Sequence, residues 1–113
     1  MESRLFEPGE VIFRQGDPGK REAYLVHDGK VEVWRRTPDG ERVLRTLAIG
    51  DLLGEVALFG DGPHSATALA IERVTLLVVP ADRLDHIVRT KPNLAIAIIR
   101  QLARMAAAEA NRA

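Results

Sequence analysis

The residues best suited to chemistry lie in one stretch of the chain, residues 50–67, where the pattern of short strands is interrupted. Gly54 lets a ligand approach the backbone closely, because glycine has no side chain to obstruct it. The residues that follow, Glu55 to Leu58, can form one helical turn whose free N–H groups bind an anion. This segment therefore predicts an anion site built from the backbone.

A second part of the same stretch, Pro63-His64-Ser65, adds side chains that could complete the site. Pro63 fixes the chain just before His64 and Ser65, and we expect both to enter the pocket beside the N–H groups. Glu55 offers an acceptor carboxylate for the hydroxyl pair of a sugar, while the N–H cluster offers donors for a phosphate. The combination predicts a nucleotide ligand with a ribose and one phosphate.

Two of these side chains also have ordinary structural explanations. A carboxylate such as Glu55 is favoured at a helix start by the helix dipole, and His64 could be a histidine of a surface loop. We favour ligand contacts for both, for Glu55 because it lies in the cassette and for His64 because of its place between Pro63 and Ser65. The remaining histidines, His27 and His86, have no ligand-like spacing and are expected to be solvated or locally hydrogen-bonded.

Catalysis is not expected from this set of residues. A jelly-roll metal enzyme needs two or three histidines and a carboxylate close together, whereas the histidines of this chain are far apart and form no His-x-His pair. Ser65 follows His64 directly, and neighbours in an extended segment point to opposite sides, so they cannot act as nucleophile and base. We therefore predict that the chain is not an enzyme and holds neither a metal ion nor a cofactor.

The elements that must position this cassette are mostly β-strands. Nine glycines separate short runs rich in Val, Leu and Ile, which is typical of a closed or sandwiched β architecture. The best strand covers residues 29–36, where Val31 and Val33 share one face. A turn at 38–40 returns the chain as a hairpin partner over 41–47. Further strands are predicted at residues 23–26, 66–70 and 74–79.

Helices are predicted after Pro80, where the period of the apolar residues changes. Residues 82–89 place apolar side chains on one helical stripe, and the Lys91-Pro92-Asn93 segment ends this helix. A longer helix from about Leu94 to Asn111 has one apolar face, formed by Ala95, Ile98, Ile99, Leu102, Met105 and Ala106. That face either packs on a second copy, giving a homodimer, or lies back on its own domain, and the sequence leaves both open.

Composition limits the classes of partner. The 113 residues fit a single domain, and 16 basic against 16 acidic residues produce no broad positive field for nucleic acid or membranes. No helix-turn-helix follows the long helix before Ala113, so we expect no direct contact with DNA. The chain contains no cysteine and no apolar run of about 20 residues, so a cytoplasmic protein that does not enter the membrane is expected.

A family resemblance emerges from four segments taken as a set: Phe6-Glu7-Pro8-Gly9-Glu10-Val11-Ile12, Arg14-Gln15-Gly16-Asp17, Leu25-Val26-His27-Asp28-Gly29-Lys30-Val31, and the Gly-Glu-x-Ala-Leu cassette at Gly54 to Leu58. With them the chain resembles the cyclic nucleotide-binding domain. This module is shared by the bacterial catabolite gene activator, the regulatory subunits of the cyclic-AMP-dependent kinase and the cyclic nucleotide-gated channels. The resemblance implies a mainly β fold within one domain, residues 1–113. It consists of a double-stranded β-helix or jelly-roll barrel over about residues 5–80, with C-terminal α-helices at about 82–90 and 94–111.

The resemblance also implies the ligand and its contacts. The ligand would be cAMP or cGMP, with Glu55 accepting the ribose 2′-hydroxyl and backbone N–H groups cradling the cyclic phosphate. The implied ligand-binding residues are Gly54, Glu55, Val56, Ala57, Leu58, His64, Ser65, Ala66 and Thr67. In the family an arginine pairs with the phosphate at the position of His64. Histidine is shorter and only partly charged near neutrality, so binding is expected to be weaker by about 1.5 to 3 kcal/mol.

Two functions follow from this difference. If the remaining contacts suffice, the chain is a cyclic nucleotide sensor in which binding repositions the two C-terminal helices about the Lys91-Pro92 break. If they do not, it is a degenerate domain that serves as a dimerisation or docking module without a ligand. Retention of Gly54, Glu55, Ala57 and Leu58 favours the sensor. A cationic His64 on the phosphate would make binding tighten as the pH falls through the histidine range.

Overall fold

The computed structural model of the protein describes residues 2–54 and 62–110. The chain divides into two compact units, residues 1–81 and residues 82–113. In the described part, the strands of the first unit are β1 (Ser3–Phe6), β2 (Val11–Phe13), β3 (Glu22–Asp28), β4 (Val31–Thr37), β5 (Gly40–Leu47), β6 (Leu52–Leu53), β7 (Thr67–Ala70) and β8 (Val74–Pro80). A 3-10 turn at Ala81–Arg83 precedes the helices α1 (Leu84–Thr90) and α2 (Pro92–Ala110).

The strands form two four-stranded antiparallel sheets, with the orders β1-β8-β3-β6 and β2-β7-β4-β5. Except at the hairpin of β4 and β5, consecutive described strands lie in different sheets. The chain therefore winds back and forth between the two sheets, as in a double-stranded β-helix. The prediction of a mainly β fold of this type with C-terminal helices is confirmed.

The hairpin of β4 and β5 matches the strongest strand prediction to within two residues. Its register runs from Val31 opposite Leu47 to Thr37 opposite Gly40, with a β-bulge after Val33. Antiparallel pairs of this length are stabilised by the side chains that face each other across the strands. The register of the hairpin therefore fixes which residues of β4 and β5 lie opposite each other.

Side chains from both sheets form one hydrophobic core. Val31 and Val33 are both buried in it, so their predicted common face is confirmed. Other members come from β3, β5, β7 and β8, among them Val26, Leu47, Ala68, Ala70, Val74 and Leu76. Fully burying one such Val or Leu side chain stabilises a protein by about 1.5 to 3 kcal/mol, and this core fixes the strands that border the site.

The turn between β3 and β4 requires a glycine. Gly29 has a left-handed backbone, with φ of +88°, and a β-carbon at this position would collide with the carbonyl oxygen of Arg73. The carboxylate of Asp28 accepts a hydrogen bond of 3.0 Å from the Gly29 N–H. The turn that leads the chain from one sheet to the other is thus set by an Asp-Gly pair.

Only Lys91 separates the two helices, and α2 begins at Pro92, two residues earlier than predicted. Lys91 has φ of −133° and ψ of 69°, because a following proline disfavours the helical conformation. Its carbonyl oxygen accepts hydrogen bonds of 3.1 Å from the N–H groups of Leu94 and Ala95. Proline is tolerated at the first helical position, since its missing N–H would have no partner there.

The structure describes the side chains of only part of the predicted apolar face of α2. Ala95 and Ile98 are buried, whereas Ile99 is 63% exposed. Leu102, Met105 and Ala106 are placed in the helix, but their side chains lie outside the described part. Packing of this face on a second copy of the chain stays a prediction.

No helix in the described part of the chain has the length and the apolar character needed to cross a membrane.

Candidate ligand-binding site

The predicted site residues fall into two groups. Gly54, His64, Ser65, Ala66 and Thr67 are described by the structure. The other four, Glu55, Val56, Ala57 and Leu58, lie outside the described residues. The geometry that follows therefore concerns the glycine at the end of β6 and the segment that leads into β7.

The segment before β7 is fastened to the corner that follows β2. The backbone N–H of His64 donates to the carbonyl of Asp17 at 2.9 Å, and the N–H of Gly16 donates to the carbonyl of His64 at 2.8 Å. The hydroxyl of Thr67 is buried and accepts a hydrogen bond of 2.9 Å from the Gln15 N–H. The Arg-Gln-Gly-Asp corner recognised in the sequence thus positions the backbone on both sides of His64.

His64 is a buried side chain, with only 7% of its surface exposed. Its ring stacks on Phe13 with a centroid distance of 3.6 Å and an interplanar angle of 9°. The interpretation of His64 as a histidine of a surface loop is therefore wrong. Pro63 and Ser65, on either side, are exposed. This differs from the expectation that the side chains of His64 and Ser65 enter the same pocket, because the side chains of an extended segment alternate.

Gly54 lies next to this stacked pair. Its φ of +77° is in the left-handed region that favours glycine. A β-carbon at Gly54 would lie 3.6 Å from Cε1 of His64, 3.6 Å from Cε2 of Phe13 and 3.7 Å from Cδ2 of Tyr24. The rings of His64, Phe13 and Tyr24 therefore all lie within van der Waals contact distance of the position that a side chain at residue 54 would occupy.

The imidazole of His64 has no hydrogen-bond partner among the described residues. Burial lowers the pKa of His64 below the ordinary histidine value, Lys20 adds to this, and the carboxylates of Asp17 and Glu22 act in the opposite direction. Without a ligand the ring is therefore neutral near pH 7, with one N–H donor and one nitrogen acceptor. It is a buried polar group without a side-chain hydrogen bond in the part of the chain that the structure describes.

Tyr24, the third ring near Gly54, has hydrogen-bond partners for its hydroxyl group. Its hydroxyl donates to Oε1 of Glu22 at 2.6 Å, and Nη1 of Arg4 donates to the same oxygen at 2.9 Å. Arg4 also pairs with Glu2 at 2.7 Å through its Nε. Burial and the hydrogen bond to Glu22 raise the pKa of Tyr24, so the phenol stays protonated and the cluster has a structural role.

Three residues that border the site were not predicted from the sequence. Phe13 and Tyr24 surround Gly54, and Nε of Arg35 donates to the carbonyl of Ser65 at 3.0 Å. All three come from strands distant in the sequence from the cassette. Only the pairing of β4 with β7 brings Arg35 to the end of β7, and no local pattern could have revealed it.

A metal centre has no support in the described part of the chain. Within residues 2–54 and 62–110 there is no group of three or more His, Asp or Glu side chains that could hold a metal ion. His27 and His86 are both exposed. What the described site offers is instead a buried imidazole stacked on Phe13, next to a glycine and to backbone groups of the segment before β7.

Comparison with known proteins points to one family. A family model described as the cyclic nucleotide-binding domain matches residues 3–91. A CRP-like cAMP-activated global transcriptional regulator of Mycobacterium tuberculosis is 34% identical over 100 residues, which are 88% of this chain and 44% of the regulator. A cAMP-dependent protein kinase regulatory subunit of Dictyostelium discoideum is 44% identical over 91 residues, which are 77% of this chain and 28% of the subunit.

The fold agrees as well. The crystal structure of the Thermus thermophilus catabolite activator protein matches with a TM-score of 0.83 and 36% identity, over 98% of this chain and 52% of that one. The chain spans less than half the length of the two curated relatives described above. The family model nevertheless covers most of this chain, and both relatives exceed 30% identity. The chain belongs to the cyclic nucleotide-binding domain family.

Proposed function

We propose that this domain is a sensor that binds cAMP or cGMP, with the cyclic phosphate next to His64. The observation that carries the proposal is the imidazole itself, which is 7% exposed and lacks a hydrogen-bond partner among the described residues. A buried polar group without a partner costs about 1 to 3 kcal/mol. A phosphate oxygen supplies the missing acceptor, and binding of the anion favours a protonated ring that can donate from either nitrogen.

The other contacts in the proposal follow the family pattern of the cassette. Glu55 accepts the ribose 2′-hydroxyl, and the backbone and side chains near Ala57, Leu58, Ser65 and Ala66 contribute to the phosphate cradle. These roles rest on the sequence and on the family, and alanine at Glu55 is the simplest test of the ribose contact. The names of both relatives, a transcriptional regulator and a kinase regulatory subunit, support regulation rather than catalysis as the role of the domain.

The signal would pass to the two helices. We propose that binding changes the orientation of α1 and α2 about Lys91, whose extended backbone interrupts the helices in front of Pro92. Because the chain has no cysteine, spin labels can be placed at Thr46→Cys and Arg100→Cys, two exposed positions. A distance between the labels that stays the same with saturating ligand would reject this coupling.

Isothermal titration calorimetry with cAMP and cGMP tests the binding proposal directly. Saturable heat with one site per chain supports the sensor. A flat trace for both nucleotides, in protein that melts cooperatively, supports the alternative of a degenerate domain that acts as a dimerisation or docking module. The missing family arginine at His64 is the feature that favours that alternative.

A further inference from the structure

A pair of positive charges, uncompensated among the described residues, lies on the hairpin of β4 and β5. Arg35 is directly opposite Arg42 in the strand register, and the next pair along the hairpin is Arg36 opposite Glu41. Arg36 and Glu41 form an ion pair with an N–O distance of 3.2 Å. Like charges that face each other across two strands destabilise a sheet, so the two adjacent pairs have opposite electrostatic effects.

Neither arginine of the uncompensated pair has an acidic partner in the described part of the chain. The ion pairs of the described residues include neither Arg35 nor Arg42. Arg35 uses its Nε for the carbonyl of Ser65 at 3.0 Å, which leaves the donors on Nη1 and Nη2 for another acceptor. The arginine pair thus has donors and charge to offer to an anion.

The strand places Arg35 beside the candidate site. Alternate residues of a strand share one face, and Arg35 follows Val31 and Val33, both buried in the core between the sheets. The strand pairs with β7 as far as Trp34 opposite Thr67, so Arg35 lies just past the start of β7. Its contact with the carbonyl of Ser65 fixes the guanidinium one residue from His64.

We propose that Arg35, assisted by Arg42, binds the phosphate of the cyclic nucleotide and supplies the guanidinium that the cassette lacks at His64. This inference rests on the proposed function of the same site. A phosphate offers a bidentate arginine contact and offsets the repulsion between the two guanidinium groups. In this chain the positive charge on the phosphate would therefore be supplied by the hairpin of β4 and β5 and not by an arginine in the cassette.

Titration of cAMP into the wild-type chain, Arg35→Gln, Arg42→Gln and Arg36→Gln tests the assignment. Loss of a charged contact to phosphate is expected to weaken binding about tenfold or more for Arg35→Gln, and several-fold for Arg42→Gln. Arg36→Gln is the matched control, since it removes the same charge from the adjacent, compensated pair. Its affinity is expected to stay within about twofold of the wild type.

A second readout separates binding from a merely structural role. Arg42→Gln relieves repulsion, so the melting temperature of the ligand-free variant should equal or exceed that of the wild type while its affinity falls. Adenosine lacks the phosphate, so its affinity should differ little between the wild type and Arg35→Gln. Equal losses for adenosine and cAMP would instead indicate that Arg35 only supports the fold through Ser65.

The possible failures can be told apart. If the wild-type chain binds no cyclic nucleotide, both the proposed function and this inference are rejected. If the wild type binds but Arg35→Gln keeps its affinity within about twofold, only the arginine assignment is overturned, and the charged pair faces a different partner, such as an acidic protein surface.

Discussion

Two polar side chains flank Phe13, and they differ in how their hydrogen bonds are satisfied. The ring of Tyr24 lies 6.3 Å from the ring of Phe13, and that of His64 lies 3.6 Å from it. The Tyr24 hydroxyl is bonded to Glu22, which is in turn paired with Arg4. The His64 imidazole is equally buried but has no such partner in the described part of the chain.

This contrast distinguishes a structural role of Tyr24 from the proposed binding role of His64. A buried polar group that is fully paired stabilises the ligand-free fold, because its desolvation is offset by its hydrogen bonds. A buried polar group without a partner reduces stability, and a ligand that supplies the partner removes this unfavourable free energy. Tyr24 is therefore expected to matter for stability, and His64 for binding.

The largest effect is expected for His64→Phe. Phenylalanine keeps the stacking on Phe13 but removes the contact to the phosphate, so the affinity for cAMP should fall about ten- to a hundredfold. The free energy of unfolding should stay the same or increase, since the variant loses a buried polar group that has no side-chain hydrogen bond among the described residues. Calorimetry and urea unfolding on the same samples measure both quantities.

The exposed histidine at position 86 provides the control for this substitution. His86→Phe changes the same residue type outside the segment that carries His64 and should leave the affinity unaltered. A His64→Phe variant that binds as well as the wild type, or that loses stability by more than about 1 kcal/mol, would show that His64 is a structural residue like Tyr24.

Tyr24→Phe should produce the reverse result with a smaller effect. The variant keeps the ring beside Gly54 but removes the hydroxyl that donates to Glu22 at 2.6 Å. We expect the free energy of unfolding to fall by about 1 to 1.5 kcal/mol and the affinity for cAMP to stay within about twofold. A large loss of affinity with unchanged stability would place the tyrosine hydroxyl on the ligand instead.

The smallest effect is expected in the pH dependence, where stability and binding should change in opposite directions. Since burial lowers the pKa of His64 in the folded chain, the unfolded chain takes up this proton at a higher pH. The contribution of His64 to stability is therefore full above the ordinary pKa of 6.5 and decreases as the pH falls below it.

Affinity should rise over the same range, because a bound phosphate holds the proton on the imidazole. As the pH is lowered, the affinity begins to increase near the pKa of His64 in the complex. It stops increasing once the pH is below the pKa of His64 in the ligand-free chain. Unfolding and titration experiments from about pH 8 to about pH 6 on the wild type and His64→Phe isolate this term, since all other groups titrate in both. Identical pH profiles of the two proteins would contradict it.

The sequence predicted the fold well where the pattern was regular and long. The alternation of Val31 and Val33 located the hairpin of β4 and β5, and continuous apolar residues located β8. The two-residue strand β6 was not predicted, because a strand that short shows no period. Helix α2 started before its predicted residue, since proline both ends one helix and opens the next.

The residues of the candidate site could be proposed from the sequence, but their geometry could not. The glycine and the Pro-His-Ser segment of the cassette indicated where a ligand would bind. That His64 stacks on Phe13, and that Arg35 reaches the carbonyl of Ser65, depend on how the two sheets bring distant strands together. Local sequence carries no signal for such contacts, so the burial of His64 and its lowered pKa could only be found in the structure.

The most direct test of the account is a nitrogen-15 NMR titration of the His64 imidazole with and without saturating cAMP. In the ligand-free protein the pKa should lie below the ordinary histidine value, as burial dictates. With cAMP bound it should rise, with downfield-shifted N–H signals from a hydrogen bond to phosphate. A pKa of His64 that is the same in both states, at a ligand concentration where calorimetry shows full occupancy, would contradict the account.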